Sequence, residues 1–453
     1  MQENTQKENK LGTAPLGRLM VSLALPSVAA QLINILYNIV DRIYIGHIRG
    51  YGDVALTGVG VTFPIIMLIS AFSAFAGMGG APLASIELGK KDYEKAEKIL
   101  GNSAGLILFF SVILTVIFSI FKRPVLFAFG ASEATIGYAE GYIGIYLVGT
   151  IFVQAALGLN TFISGQGEAK TAMLSVLIGA ALNICLDPVF IFAFGLGVRG
   201  AAIATVISQA VSAVWVVRFL TSEKSVLRLR RKNIRLQAEY IKKIAALGVS
   251  PFIMQSTESL VSITLNTGLQ KYGGDLYVGT MAILTSIMQF IGIPAQGITQ
   301  GVQPVISYNY GAGNKERVKG TFFRLITVTF TSMFLLGGIA VIAPHIYAGI
   351  FTNNEQLADL TAQVMPVYFL GFMFFGIQSS CQSTFVALGQ AKVSVFIALL
   401  RKVILLIPLA LILPRFMGVM GIYRAEPIAD FISVTTAATL FAITFKKVLR
   451  EMD

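Results

Sequence analysis

Charge is scarce in this chain. Lys, Arg, Asp and Glu make up 13% of its 453 residues, about half the ~25% usual for a soluble domain. That excludes a disordered chain and a typical water-soluble enzyme. Cysteine is nearly absent. Cys185 and Cys381 both sit in apolar runs, so a disulfide-stapled scaffold is excluded and redox compartment stays undetermined. His47 and His345 are the only histidines, and neither has a metal-ligand neighbour at helical spacing, which argues against catalytic zinc. The single Trp and the lack of basic–aromatic interleaving leave the net charge of +12 without a nucleic-acid reading. No nucleotide-binding loop and no Ser nucleophile elbow occur, so no enzyme is expected. What is abundant is apolar residues, 55% of the chain, with a mean hydropathy of +0.74. They come in long unbroken runs, unlike the alternating strands of a membrane β-barrel.

A membrane-spanning helix needs about 20 mostly apolar residues. Twelve such runs occur, near 18–42, 54–86, 99–121, 134–162, 171–194 and 200–220, then 244–270, 276–308, 321–348, 357–388, 393–414 and 418–445. With an even number, both termini share one side. Of the 35 Lys and Arg, 25 fall on the terminal side and seven on the other, while Arg401, Lys402 and Arg424 lie inside spans. The positive-inside rule then makes both termini cytoplasmic, in a multi-pass protein of the cell membrane.

The chain is duplicated. At an offset of 222, Gly79, Pro82, Ser85, Gly89 and Glu94 match Gly301, Pro304, Ser307, Gly311 and Glu316. Gly167-Glu168-Ala169-Lys170 likewise pairs with Gly389-Gln390-Ala391-Lys392, and Asp53 with Asp275. The expected architecture is all-α, with two six-helix lobes related by a pseudo-two-fold axis along the membrane normal. The N-lobe is residues 1–220 (spans 1–6) and the C-lobe 244–453 (spans 7–12). A basic cytoplasmic linker, 221–243, joins them, either lying along anionic headgroups or serving as a solvated tether.

A carboxylate in lipid costs at least ~2.5–3.5 kcal/mol on insertion scales, so each embedded acid needs a reason. In span 5, Asn183 and Asp187 are four apart and share a helix face. Pro188 follows, has no N–H, and frees the carbonyl of Ile184. The group suits Na⁺ or a proton; the alternative is a kinked helix whose polar pair satisfies neighbours. Asp41 lies near the outer end of span 1, either as an interfacial carboxylate beside Arg42 or as the end of a polar stripe formed by Gln31, Asn34 and Asn38. Thr205 in span 6 is weak alone, since a Thr hydroxyl in a span commonly bonds its own backbone. Glu426 and Asp430 in span 12 are also four apart, and need a cation, an Arg or a shared proton. They make either a second acidic site or substrate contact, or a structural network. Glu258, after Pro251 and Gln255 in span 7, is a candidate of the same kind, and Gln255 joins the candidate cavity polar residues. At least one of Arg401 and Lys402 must turn inward and pair with a carboxylate. Pro26 and Pro188 are hinge candidates.

Val40–Gly50 (VDRIYIGHIRG), Ala55–Gly60 (ALTGVG), Gly89–Leu100 (GKKDYEKAEKIL) and Leu182–Phe192 (LNICLDPVFIF) resemble the multidrug and toxin extrusion (MATE) family. The resemblance covers nearly the whole chain and is nearest to the branch of bacterial MepA-type efflux pumps. It implies an antiporter that exports amphiphilic, often cationic drugs in exchange for Na⁺ or H⁺, with no other cofactor. Carried over residue by residue, the N-lobe cation site falls on Asp41, Asn183, Asp187 and Thr205, with Na⁺ at Asp41, Asn183 and Asp187. Some relatives emphasise C-lobe carboxylates instead. Glu258 matches one such position, but Gly371–Phe385 in span 10 has no Asp or Glu, and Glu426 and Asp430 do not replace it in register.

Expected partners are small-molecule drugs, organic cations and membrane lipids, with no nucleic acid, and the protein is expected to be a monomer. The rival is a flippase for an anionic lipid-linked precursor, which would use Arg401, Lys402 and Arg424. A major-facilitator transporter would carry G-x-x-x-D-R-x-G-R after span 2, where this chain has Gly89-Lys90-Lys91-Asp92-Tyr93-Glu94-Lys95.

Overall fold

The computed structural model describes residues 9–352 and 354–452. Among these the chain is all-helical, with no strand. Twelve long helices follow one another: α1 (Leu16–Gly46), α2 (Gly52–Gly89), α3 (Tyr93–Ala128), α4 (Ile136–Val148 and Thr150–Gly165, bent by 59°), α5 (Ala169–Ala193), α6 (Val198–Thr221), α7 (Ala238–Tyr272), α8 (Asp275–Gly311), α9 (Lys315–Ile342), α10 (Glu355–Ala387), α11 (Ala391–Met417) and α12 (Val419–Glu451). Ten are long and apolar enough to cross a membrane, and the bent α4 makes an eleventh. Each of the twelve expected runs is occupied by a helix, and only α7 falls outside the apolar set. Helix α7 has 35 residues, ample for a ~30 Å hydrocarbon core. Its polar residues Gln255, Glu258, Asn266 and Gln270 keep it out of the apolar set.

The outer surface is that of a protein solvated by lipid. Leu25, Val148, Ile342 and Phe416 are 68%, 74%, 86% and 81% exposed, which water would penalise and acyl chains do not.

The chain forms two compact units. One comprises Ala29–Gln255; the other comprises Met1–Val28 with Ser256–Asp453. Their borders fall inside α1 and α7, rather than in the 221–243 linker. Each border follows a proline within its helix, Pro26 in α1 and Pro251 in α7. In the first unit the core gathers Ile69, Phe118, Leu126, Ile143 and Ile191. In the second, one cluster holds Leu284, Ile287, Tyr368 and Tyr423, and another stacks Phe322 on Phe441 at 4.1 Å between ring centroids.

The sequence repeat reappears as repeated hydrogen bonds. Ser85 Oγ donates to the carbonyl of Gly165 at 2.6 Å, and Ser307 Oγ to that of Ala387 at 3.0 Å. Asn160 Nδ2 donates to the carbonyl of Ala172 at 3.1 Å, and Gln382 Nε2 to that of Ser394 at 2.9 Å. Asp92 caps α3 by accepting from the Lys95 N–H, as Asn314 caps α9 by accepting from the Arg317 N–H. All three pairs keep the offset of 222. The hydrogen bonds from Lys95 also hold the exposed Asp92 carboxyl below the usual carboxylate range. Just before these caps, Lys91 has φ 63° where the other repeat has Gly313 at φ 71°, so the left-handed turn is kept even against the cost of a Cβ.

The linker is docked, not a free tether. Gln166 Oε1 accepts the N–H of Val226 at 2.8 Å and of Leu227 at 3.2 Å. Asn102 Oδ1 accepts the Gln237 N–H at 2.7 Å, and Arg230 pairs with Glu97 at 2.7 Å.

Candidate functional site

Local sequence places the α5 residues first. Pro188 ends the regular part of α5, and the next turn widens to π geometry over Val189–Ala193, with the Phe194 N–H donating to the Val189 carbonyl at 2.9 Å. Gly197, at φ 54°, turns the chain into α6. Gly200 then lies so close that a Cβ there would sit 2.6 Å from the Phe190 carbonyl oxygen. The missing side chain draws α6 onto the wide turn and sets Thr205 opposite Asn183. Asn183 Nδ2 donates to Asp187 Oδ1 at 3.2 Å and to Thr205 Oγ1 at 3.4 Å.

Helix α1 adds Asp41, within hydrogen-bonding reach of Asp187. The structure thus brings together Asp41, Asn183, Asp187 and Thr205 from three helices of one unit, all buried. Three of their oxygens, Asp41 Oδ1, Asn183 Oδ1 and Asp187 Oδ2, are buried without a hydrogen-bond partner. Among the described residues no Lys or Arg forms an ion pair with either acid. Arg42 is exposed and stands over the Phe63 ring at 5.7 Å. Two acids near each other in a low-dielectric site require a proton or a cation. The oxygen-only donor set, carboxylate, amide and hydroxyl, also suits a hard cation, and the orphaned oxygens are where such an ion would bind.

Tyr37 and Tyr142 were not singled out from the sequence, yet both border this cluster. Tyr37 stands one helical turn before Asp41, which the spacing of four does signal. Tyr142 arrives from α4 and has no local signature. The rest of the α1 stripe is placed differently. Asn38 is exposed and donates to the backbone carbonyl of Asn34 at 2.6 Å, while Gln31, Asn34 and Gln255 are half-buried.

The other acidic candidates lie in the second unit and carry internal bases, although Asp430 Oδ2 is itself buried without a hydrogen-bond partner. Arg401 Nε donates to Asp430 Oδ1 at 2.7 Å, and its Nη2 to Glu426 Oε1 at 2.6 Å. The guanidinium also stacks over Phe375 at 4.6 Å. Lys402 pairs with Glu258 at 2.9 Å, with the Lys side chain 9% exposed and the Glu 61%. Both embedded bases turn inward, not just one. Glu426 and Asp430 therefore do not form an open acidic site, because a fixed guanidinium already bridges them. The bases offered to an anionic lipid are also occupied, apart from Arg424, which is exposed and contacts Met417 Sδ at 3.8 Å.

Comparison with known proteins agrees with this architecture. Residues 26–189 and 251–412 match the MatE family. The multidrug export protein MepA of Staphylococcus saprophyticus is 26% identical over 422 residues, 92% of each chain. That of Staphylococcus haemolyticus is 25% identical over 414 residues, 91% of this chain and 90% of its own length. Among solved structures, MATE in the bent conformation superposes with a TM-score of 0.91 at 22% identity, covering 99% of both chains. An outward-facing multidrug resistance MATE family transporter of the MOP superfamily gives 0.90 at 22% identity, covering 99% of this chain and 100% of its own. The chain belongs to the MatE family of multidrug efflux transporters.

Proposed function

We propose that this transporter is a cation-coupled antiporter. It exports amphiphilic, often cationic drugs across the cell membrane by alternating access, taking Na⁺ or H⁺ inward at Asp41, Asn183, Asp187 and Thr205. The observation that carries this reading is the trio of buried, unpartnered oxygens in a cluster without an internal base. Such a cluster gains most from an exchangeable cation, because no described Lys or Arg forms an ion pair with it. Loading from outside neutralises the acids and permits the change of access, and unloading inside restores their charge. Pro26 and Pro188, where α1 and α5 lack a backbone donor, are the positions at which those helices bend most readily. One charge moving inward through 100 mV supplies about 2.3 kcal/mol, enough for about fifty-fold accumulation of a neutral drug.

The 25-to-7 bias of Lys and Arg supports cytoplasmic termini. A single chain carries both repeats, which supports a working monomer. The relatives are named for multidrug export, and nothing found favours the lipid flippase.

The test is dye efflux from energised vesicles under separately imposed Na⁺ and pH gradients, comparing wild type with Asp187→Asn. Efflux that requires one gradient and vanishes in the variant supports the reading and identifies the ion. Wild-type efflux by a well-expressed variant sinks the role of Asp187.

A further inference from the structure

Below the cluster, a polar seam continues between α5 and α6. On α5, Asp187, Asn183, Gly179, Ser175 and Thr171 recur every four residues, and so form one inclined row along the helix surface. That row spans about 24 Å of helix. Helix α6 answers with Thr205, Ser208, Ser212 and Trp215 in antiparallel order. Asn183 reaches Thr205, Ser212 Oγ donates to the Ser175 carbonyl at 2.9 Å, and Trp215 Nε1 donates to the Thr171 carbonyl at 3.4 Å. Gly179 faces Ser212 so closely that a Cβ would collide with its Oγ.

Small residues on facing helices also serve close packing. Asn183 Oδ1 and Ser208 Oγ are buried and unpartnered, on residues 2% exposed. Asp430 Oδ2 and Ser433 Oγ in the other unit are buried and unpartnered too, so what separates a path from packing is the occupant of the seam. The repeat sharpens the contrast. At the offset of 222 the counterpart of Gly179 is Arg401. In α6 and α12 the start glycines Gly197 and Gly418 share an unusual backbone, with φ 54° and 59°, and fix an offset of 221. That offset pairs Ser212 with Ser433 and Thr205 with Glu426. The equivalent seam in the second unit is therefore plugged by Arg401 locked to Glu426 and Asp430.

We infer that the α5–α6 seam is the path by which the coupling ion leaves the acidic cluster for the cytoplasmic side, with Gly179 against Ser212 as its narrowest point. The ion is handed from Thr205 past Ser208 to Ser212, within one unit. The inference rests on the coupling site proposed above and adds its exit.

The experiment uses the full-length protein in liposomes, with Na⁺-gradient and pH-gradient arms. Two readouts are taken: displacement of a bound fluorescent cation by the coupling ion at equilibrium, and drug-driven ion flux. Ser208→Ala and Ser212→Ala are expected to keep the displacement midpoint while slowing flux about tenfold. Gly179→Ala should slow it further, and adding Ser212→Ala to it, which removes the collision, should not restore flux. Wild-type flux in Ser212→Ala, or full rescue in the double variant, would overturn the path and leave only packing. Loss of ion displacement in these variants would overturn it too, by making them part of the binding site. Asp187→Asn serves as the control. If it retains ion displacement, the coupling site itself fails, and that failure is distinct from a failed path.

Discussion

Two clusters of embedded acids, built on repeat-related helices, have opposite internal chemistry. In the unit of Ala29–Gln255, Asp41 and Asp187 meet an amide and a hydroxyl but, among the described residues, no base, and three oxygens are left over where the other cluster leaves Asp430 Oδ2. In the other unit, Glu426 and Asp430 grip Arg401, and Glu258 holds Lys402. The shared scaffold shows that the difference is not one of fold. The hydrogen bonds of Ser85 and Ser307, and of Asn160 and Gln382, hold the helices in matching register. What differs is whether the counter-charge is covalently part of the protein. A guanidinium in the seam cannot leave, so that cluster is a permanent brace. Carboxylates that meet no base within the protein can exchange a cation, which is what the proposed coupling requires.

The comparison is tested hardest at Arg401. Arg401→Ala strands two buried carboxylates, and breaking such a pair costs about 3–5 kcal/mol. A large fall in melting temperature of the detergent-purified protein is expected. Combining Arg401→Met with Glu426→Gln and Asp430→Asn removes all three charges and should recover at least about half of that loss. Efflux should survive in the triple variant. If the triple variant were stable but inactive, the brace would have a role in transport, and the contrast between the units would fail.

A smaller effect tests the scaffold itself. Ser85→Ala and Ser307→Ala each delete one buried hydroxyl bond to a carbonyl across helices, worth about 1 kcal/mol. The two losses should agree within about 0.5 kcal/mol, read from parallel thermal melts. A markedly unequal pair would mean that the repeats are alike in sequence but not in the load they carry.

Much of this was legible before any coordinates. The span pattern follows from hydropathy, and the contact of Asn183 with Asp187 follows from a spacing of four on one helix. That at least one of Arg401 and Lys402 turns inward follows from the cost of leaving a charge in lipid. What the sequence could not give was long-range partnership. Arg401 meets Glu426 and Asp430 across 25 and 29 residues, and only the packing of α11 on α12 decides that one guanidinium serves both. Tyr142 joins the first cluster for the same kind of reason. The borders between units were hidden because helical pattern runs unbroken through Val28 and Gln255 while the packing partners change. The docked linker was hidden because its anchors, Gln166 and Asn102, look like ordinary loop and helix-start polars.

The smallest expected change in stability belongs to Asp187→Asn, and it is the most diagnostic. The substitution keeps the volume, removes one charge from a site with no internal base, and gives Asp41 an amide donor in its place. Melting temperature should therefore stay level or rise slightly, within about 1 kcal/mol, while ion-coupled efflux disappears. Arg401→Ala should show a large loss of stability by the same assay. Under the proposed coupling the signs differ because Asp187 meets no base within the protein, whereas Glu426 and Asp430 are paired with Arg401. If Asp187→Asn unfolded the protein as readily as Arg401→Ala, Asp187 would belong to a permanent brace as well. The orphaned oxygens beside it would then have to be satisfied by a resident group, not by the traffic of ions.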